Sequence, residues 1–438
     1  LPDPPQFRLP AVFSFFLLHK AKVVSDFADK NYVKHTIIGL VWAAGLSILP
    51  GSLAAQTEFR IGDYKFQAHS FFSQGFMYSG NNNYLSAATT KGSFGMTDGG
   101  ANLSTQITDK FRVGAQVYFY NVGQLGAWKP ELDWAYGSYQ FKDWFGVRAG
   151  KVKTTFGLYN DTQDLAFLQT FAMLPQALYP IDRRDESIAH TGGDLFGTVQ
   201  LAKAGSASYT GFVGNFSDTP DSGYIYSLKP TGIQMKNYGG FSAGGDLRWN
   251  APLPGLVVGG SYMLQYPHGS GDCVASRCVS KNKGGIGPYW EKERKDFSIQ
   301  LYGQYTIDKF RLYGEHRRTE RDHTNWSGNS NSAFDMRAFY VAGTYKLARK
   351  WEMGSYYSRS LIHYTGPSAT PALALTHILD KVISVRYDVT SFWNVKLEGH
   401  FMNGNGLTFF PWGFYSPVNP AGFKDKTPLL VARSSWYF

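Results

Sequence analysis

The sequence predicts an all-β fold, a transmembrane antiparallel β-barrel of about 16 strands. Three observations lead there. Aromatic residues make up 16% of the chain and Gly is frequent at 48, yet charged residues are only 17% and mean hydropathy is slightly negative, −0.27. Apolar and polar residues alternate with period two over segments of about 11–15 residues, long enough for tilted strands to cross a bilayer. Connections between those segments alternate between short and long. The same composition excludes other classes. No run of about 20 apolar residues suits a membrane helix. A disordered chain would lack so many aromatics. Two Cys exclude a disulfide scaffold and disfavour a thiolate metal cluster.

The strands fall, in order, at 65–79, 93–107, 111–123, 131–141, 145–158, 193–203, 206–217, 240–250, 255–267, 294–306, 309–322, 335–347, 351–363, 378–390, 393–405 and 427–438. An even number is what a closed single-chain barrel needs. Closure is required because an open sheet edge in lipid leaves backbone groups unpaired. Seven connections are tight: Thr108-Asp109-Lys110, Lys142-Asp143-Trp144, Lys203-Ala204-Gly205, Ala251–Pro254, Asp308, Ala348-Arg349-Lys350 and Ser391-Phe392. Eight are longer and polar. Short periplasmic turns and long external loops are the pattern of bacterial barrels.

Residues 34–55 read KHTIIGLVWAAGLSILPGSLAA. A basic start, an apolar run from Ile37 to Leu49 and a small-residue end at Ala54 or Ala55 form the three parts of a secretory signal. Residues 33–55 are therefore expected to be a signal peptide, with Val33 as its start and residues 1–32 a non-native upstream extension. Residues 56–438 are expected to form the barrel. Removing residues 1–55, with five basic and three acidic side chains, lowers the net charge from +10 to +8. An exported basic chain without a basic cluster points away from nucleic acid and toward a pore that attracts anions.

Face assignment follows from the alternation. Strand 378–390 places Ile383, Val385 and Tyr387 on one side, and Ser384, Arg386 and Asp388 on the other. Strand 393–405 sets Val395, Leu397 and Phe401 against Lys396, Glu398 and His400. A charged side chain at mid-depth in lipid costs roughly 2–4 kcal/mol, so charges on strands should face water in the lumen. That argument places Lys151, Lys153, Arg248, Arg317, Arg386, Lys396, Glu398 and Arg433 along the pore.

The chain ends Ser435-Trp436-Tyr437-Phe438. A final strand closing on Phe resembles the assembly signal of Gram-negative outer-membrane proteins. The whole chain after the signal resembles a sixteen-stranded porin. The stretch Arg148–Asp161, RAGKVKTTFGLYND, is similar to the segment before the constriction loop in one group of proteobacterial porins, with Thr154-Thr155 standing where that group has Pro after the basic pair. Phe167–Glu186, FLQTFAMLPQALYPIDRRDE, resembles that group's inward-folded third loop. The resemblance implies a substrate-selective or anion-preferring homotrimer in the bacterial outer membrane, with membrane lipid and small hydrophilic solutes as its partners.

The third connection, from about Tyr159 to Gly192, is the longest and carries Leu165, Phe167, Phe171, Met173, Leu178 and Tyr179. Structureless connections this long are usually functional or disordered, and the apolar content argues against disorder. The loop should fold into the lumen with its apolar side on the wall. Its segment Asp182-Arg183-Arg184-Asp185-Glu186 would then narrow the aqueous path, which selects by charge and width. Cys273 and Cys278 lie in an external loop and, after export, are expected to pair. His190, His316, His323 and His400 show no ligand spacing. A search for hydrolase, zinc and nucleotide motifs returns no site, so no cofactor and no enzyme activity are expected. A lipase-like barrel enzyme and an adhesive or structural barrel with a blocked lumen are the alternatives.

Overall fold

The computed structural model describes residues 57–275, 278, 286–325, 330–364, 376–405 and 413–438. The signal segment and residues 1–32 lie outside that range. A short strand β1 (Thr57–Ile61) forms a hairpin with β2 (Tyr64–Ser79). The strands that follow are β3 (Ser93–Thr108), β4 (Phe111–Val122), β5 (Glu131–Lys142), β6 (Phe145–Lys153), β7 (Ala189–Gln200) and β8 (Ser206–Ser217). After a short helix α1 (Gly223–Leu228) come β9 (Ile233–Asn250), β10 (Leu256–Cys273), β11 (Gly287–Ile307), β12 (Phe310–Asn325) and β13 (Ser330–Ala348). The ring is completed by β14 (Trp351–Tyr364), β15 (His377–Asp388), β16 (Trp393–Asn403) and β17 (Lys426–Tyr437).

From β2 onward each strand is antiparallel to the one before it, and β17 pairs back onto β2 from Leu429↔Ser79 to Tyr437↔Phe71. The sixteen strands β2 to β17 thus form a closed ring, which leaves no sheet edge to be solvated. Hairpin β1 lies below the seam, where the backbones of Ser70 and Phe438 exchange two hydrogen bonds of 2.7 Å. Both described chain ends therefore meet at the end of the barrel that carries the short turns. Asp308 closes the tightest of them with a left-handed φ of 48°, a conformation that Asp tolerates better than most side chains.

The expected strands are all present, with three differences. The strand expected at 145–158 ends at Lys153, because the chain turns inward there: the Thr154 N–H bonds to Ile188 O at 3.0 Å, and Gly157 takes φ +70°. The strand expected at 193–203 is Ala189–Gln200. Strands β9 to β13 run further than expected toward the long-loop end, where each still finds a paired neighbour. Hairpin strand β1 was not expected at all.

The two faces of the sheet carry inverted chemistry. On β11, Leu301 is 60% exposed and its neighbour Gln300 is fully buried; on β16, Phe401 is 60% exposed and His400 is 1%. A soluble sandwich buries its apolar face and wets its polar one. Here the apolar face is outside and the charged face is enclosed, the arrangement that lipid demands. Trp144, Trp249 and Trp351 lie exposed near the short-turn end, as an interfacial aromatic girdle requires. No helix among the described residues is long and apolar enough to cross a membrane.

Candidate functional site

Residues 154–188 leave the wall between β6 and β7 and pass across the lumen. Two features begin the turn inward. Asn160 donates its side-chain amide to Thr154 O (2.8 Å) and Ser187 O (2.7 Å), which ties the two roots of the loop together. Ser261 and Glu315, both on the enclosed face, accept the N–H groups of Gly157 and Leu158 at 2.8 and 2.9 Å.

The apolar side of the loop then settles on the wall. Tyr159, Phe171, Leu174, Leu178 and Tyr179 pack with Tyr313, Tyr340, Tyr356 and Val382, the inward residues of β12 to β15. Tyrosines suit this seat because each buries a ring and keeps a hydroxyl for a polar partner. Glu315 collects two of those hydroxyls, Tyr179 at 2.7 Å and Tyr340 at 2.6 Å.

Next to this seat the loop backbone is held by charged wall residues. Glu398 accepts the N–H groups of Ala172 (2.8 Å) and Met173 (3.1 Å), and the His400 ring at 2.9 Å. Lys396 donates to the carbonyls of Ala166 and Phe171, and Arg386 to that of Gln169 at 3.1 Å. Arg433 donates to Ala172 O at 2.7 Å and to Asp98. A loop in an enclosed space must pair its backbone groups somewhere, and here long side chains do so in place of a sheet.

The far limb is held through side chains. Arg184 lies over the Tyr118 ring at 4.2 Å and pairs with Asp133 and Asp164 at 2.8 Å each. Lys153 joins the same two carboxylates, Asp133 at 2.8 Å. Arg183 pairs with Glu186 at 2.5 Å, and Glu186 with Arg321 at 3.5 Å, while Arg321 reaches Asp296 at 2.7 Å. Asp185 accepts from Thr219 at 2.8 Å. Asp182 accepts from the Tyr415 hydroxyl (2.6 Å) and the Gly413 N–H (3.0 Å), joining the third loop to the last one. Burial pushes the Asp182 carboxyl up from its ordinary value, and those two donors with Arg183 oppose the shift. Cavities of about 90, 30 and 80 Å³ border the loop, and Arg184 walls all three.

No family model matches the chain, and no curated protein matches its sequence. Solved structures do match. The outer-membrane expressed OmpT of Vibrio cholerae superposes with a TM-score of 0.55 at 13% identity, covering 87% of this chain and all of that one (100%). An anion-selective porin from Comamonas acidovorans gives 0.51 at 11% identity, over 86% and 100%. The fold is that of outer-membrane β-barrels. Identities this low carry the fold alone.

Within this barrel the expected site residues divide. Arg248, Arg317, Arg386, Lys396, Glu398 and Arg433 do face inward. Lys396, Glu398 and Arg433 are nevertheless almost fully buried, because they are occupied by loop backbone. Arg248 donates to Gly157 O and the Tyr302 hydroxyl, both at 3.2 Å. Charges two apart on a strand pair directly in only some cases: Arg386 meets Asp388 at 2.8 Å, whereas Lys396 and Glu398 each bind the loop.

Lys151 is a correction. Arg148 on β6 pairs with Asp194 at 3.3 Å on the enclosed face, so by alternation Lys151 lies outward. Its ammonium donates to Leu132 O at 2.6 Å. Lys153 follows it at the end of the strand and reaches past the last β5–β6 rung, Ala135↔Lys151, to Asp133. The bulge between Gln116 and Val117 turns Asp133 inward, and no sequence signal marks it. Arg321, by contrast, was legible: Glu315, Arg317, Thr319 and Arg321 repeat every second residue on β12.

Two motifs complete the inventory. Cys273 and Cys278 are disulfide-bonded, with Cα atoms 5.5 Å apart. Gly240-Phe241-Ser242-Ala243-Gly244 spells G-x-S-x-G, which the sequence reading passed over. It lies inside β9, whereas a nucleophile elbow needs a strand-to-helix turn, so the match has no catalytic context. Among the described residues no group of three or more His, Cys, Asp or Glu side chains could hold a metal ion.

Proposed function

We propose that this chain is a porin: a water-filled channel through the bacterial outer membrane for passive diffusion of small hydrophilic solutes, with a preference for anions. The observation that carries the reading is the third loop, which crosses a charged lumen inside a wall whose outer face is apolar. Such an insert narrows an aqueous path and sets its charge. The basic excess of the chain, +10 overall, supports the anion preference. So does the structural likeness to a porin described as anion-selective, at 11% identity. A homotrimer is the proposed assembly, since an in-vitro folded Vibrio cholerae OmpT in trimer form shares the fold with a TM-score of 0.51 at 13% identity. Residues 33–55 are the proposed export signal, and no step of the transport requires a cofactor or catalysis.

The test is planar-bilayer conductance under a salt gradient, using protein that starts at Gln56. Stepwise channels with a reversal potential on the anion side are the expected result, with triplet closures for a trimer. A cation-side potential overturns the anion preference and leaves the channel. A folded barrel without conductance overturns the channel. The second reading is a barrel with a closed lumen, favoured by the small cavities beside the loop; it is the reading that absent conductance would establish.

A further inference from the structure

The cavity of about 80 Å³ beside the loop is lined by both charged and apolar side chains. Four guanidiniums line it, those of Arg183, Arg184, Arg317 and Arg321, against two carboxylates, Glu186 and Asp296. Three of the four are committed. Arg183 pairs with Glu186, Arg321 with Asp296 and Glu186, and Arg184 with Asp133 and Asp164 outside the cavity. Arg317 differs: no ion pair holds it among the described residues. Its Nε donates to Gln300 at 2.6 Å, and its guanidinium lies over Phe156 at 4.8 Å and Tyr179 at 5.7 Å. The two rings flank the guanidinium, and Arg317 lines the cavity. A planar guanidinium held this way is shaped for a carboxylate, which it binds through two parallel hydrogen bonds. Met263, Met336 and Leu178 give the same cavity an apolar lining. Methionine side chains adapt to the shape of an apolar or aromatic body.

We propose that this cavity is a binding subsite for small monocarboxylates with an apolar body, the carboxylate on Arg317 and the body against Met263, Met336 and Leu178. The inference deepens the channel reading, rests on it, and names the class of anion that would be slowed at the narrowest point. A single uncommitted guanidinium matches one carboxylate. A dicarboxylate would bring its second charge against methionines, and a fully polar anion such as chloride would leave them without a partner. A cavity of about 80 Å³ suits a small body such as a single ring.

The experiment is calorimetric titration of the purified, folded barrel with benzoate, with acetate and succinate as comparison ligands. Binding is thus measured without reference to conduction. Saturable benzoate binding is expected, with acetate and succinate at least tenfold weaker. Arg317→Gln should weaken benzoate about tenfold or more, the loss of a charge-assisted pair. Met263→Gln should weaken benzoate several-fold and leave acetate unchanged; it decides the matter alone should the arginine variant fail to fold. Folding is checked by the heat-sensitive gel mobility of the barrel. Absence of benzoate binding, or variants that bind as the parent does, overturns the subsite. Conducting channels without benzoate binding sink the subsite and spare the porin; benzoate binding by a barrel that does not conduct does the reverse.

Discussion

The two limbs of the third loop are held by opposite means. Along residues 166–173 the wall supplies the charges and the loop answers chiefly with backbone: Lys396, Arg386, Arg433 and Glu398 hold carbonyls and N–H groups, and the Thr170 hydroxyl adds a bond to Glu352 at 2.7 Å. Along residues 181–186 the loop supplies the charges, and Arg184 and Glu186 reach for wall partners. The first limb is held to wall charges chiefly through its backbone, with Phe171 packed on the wall, and the second through its own charged side chains. In the proposed channel the first limb would fix the loop's position and the second would set the charge of the path.

The contrast can be broken from either side. Glu398→Ala should have the largest effect. It strands two buried N–H groups and the His400 ring, and losing one partner of a buried charged set costs about 3–5 kcal/mol. Urea unfolding in lipid vesicles should show that loss, and single-channel conductance should rise as the loop lifts. Unchanged conductance would mean that the loop is held elsewhere. Arg184→Ala comes next. Lys153 still neutralises Asp133 and Asp164, so the expected cost is smaller, about 2 kcal/mol. Its signature is the reversal potential, which should move toward cations while conductance stays near the parent value. Tyr179→Phe removes one hydroxyl from Glu315, about 1 kcal/mol in unfolding, with selectivity unaltered. Lys151→Glu should do least. The residue lies on the outer face near the long-loop end, so stability should change by no more than about 0.5 kcal/mol and the reversal potential should not move. A shift with Lys151→Glu would return that side chain to the lumen.

The same contrast explains what could be read from the sequence. Period-two alternation and turn chemistry are local, so strands such as 206–217 and turns such as Asp308 were legible to the residue. The run Asp182–Glu186 was legible as a charged segment within an apolar loop. The backbone clamp was not. Lys396 and Glu398 read as charges lining the pore, but the groups they bind in the third loop are main-chain atoms, which every residue possesses and no sequence distinguishes. Lys151 was misplaced for a related reason. The rule that strand charges face the lumen holds at mid-depth, and Lys151 is close enough to the end of its strand to escape it.

Arg433 carries one last implication, which concerns the order of assembly. This side chain sits on β17, binds Ala172 O in the third loop and Asp98 on β3, and does so beside the seam where β17 joins β2. The partners Ala172 and Arg433 are separated by 261 residues, and Ala172 and Glu398 by 226. Such distant contacts form late, after the intervening chain has been ordered. The third loop is made early but has no complete seat until the last two strands arrive. Sealing the wall and seating the third loop are therefore one event, and in the proposed channel a barrel that has not yet closed would have no constriction.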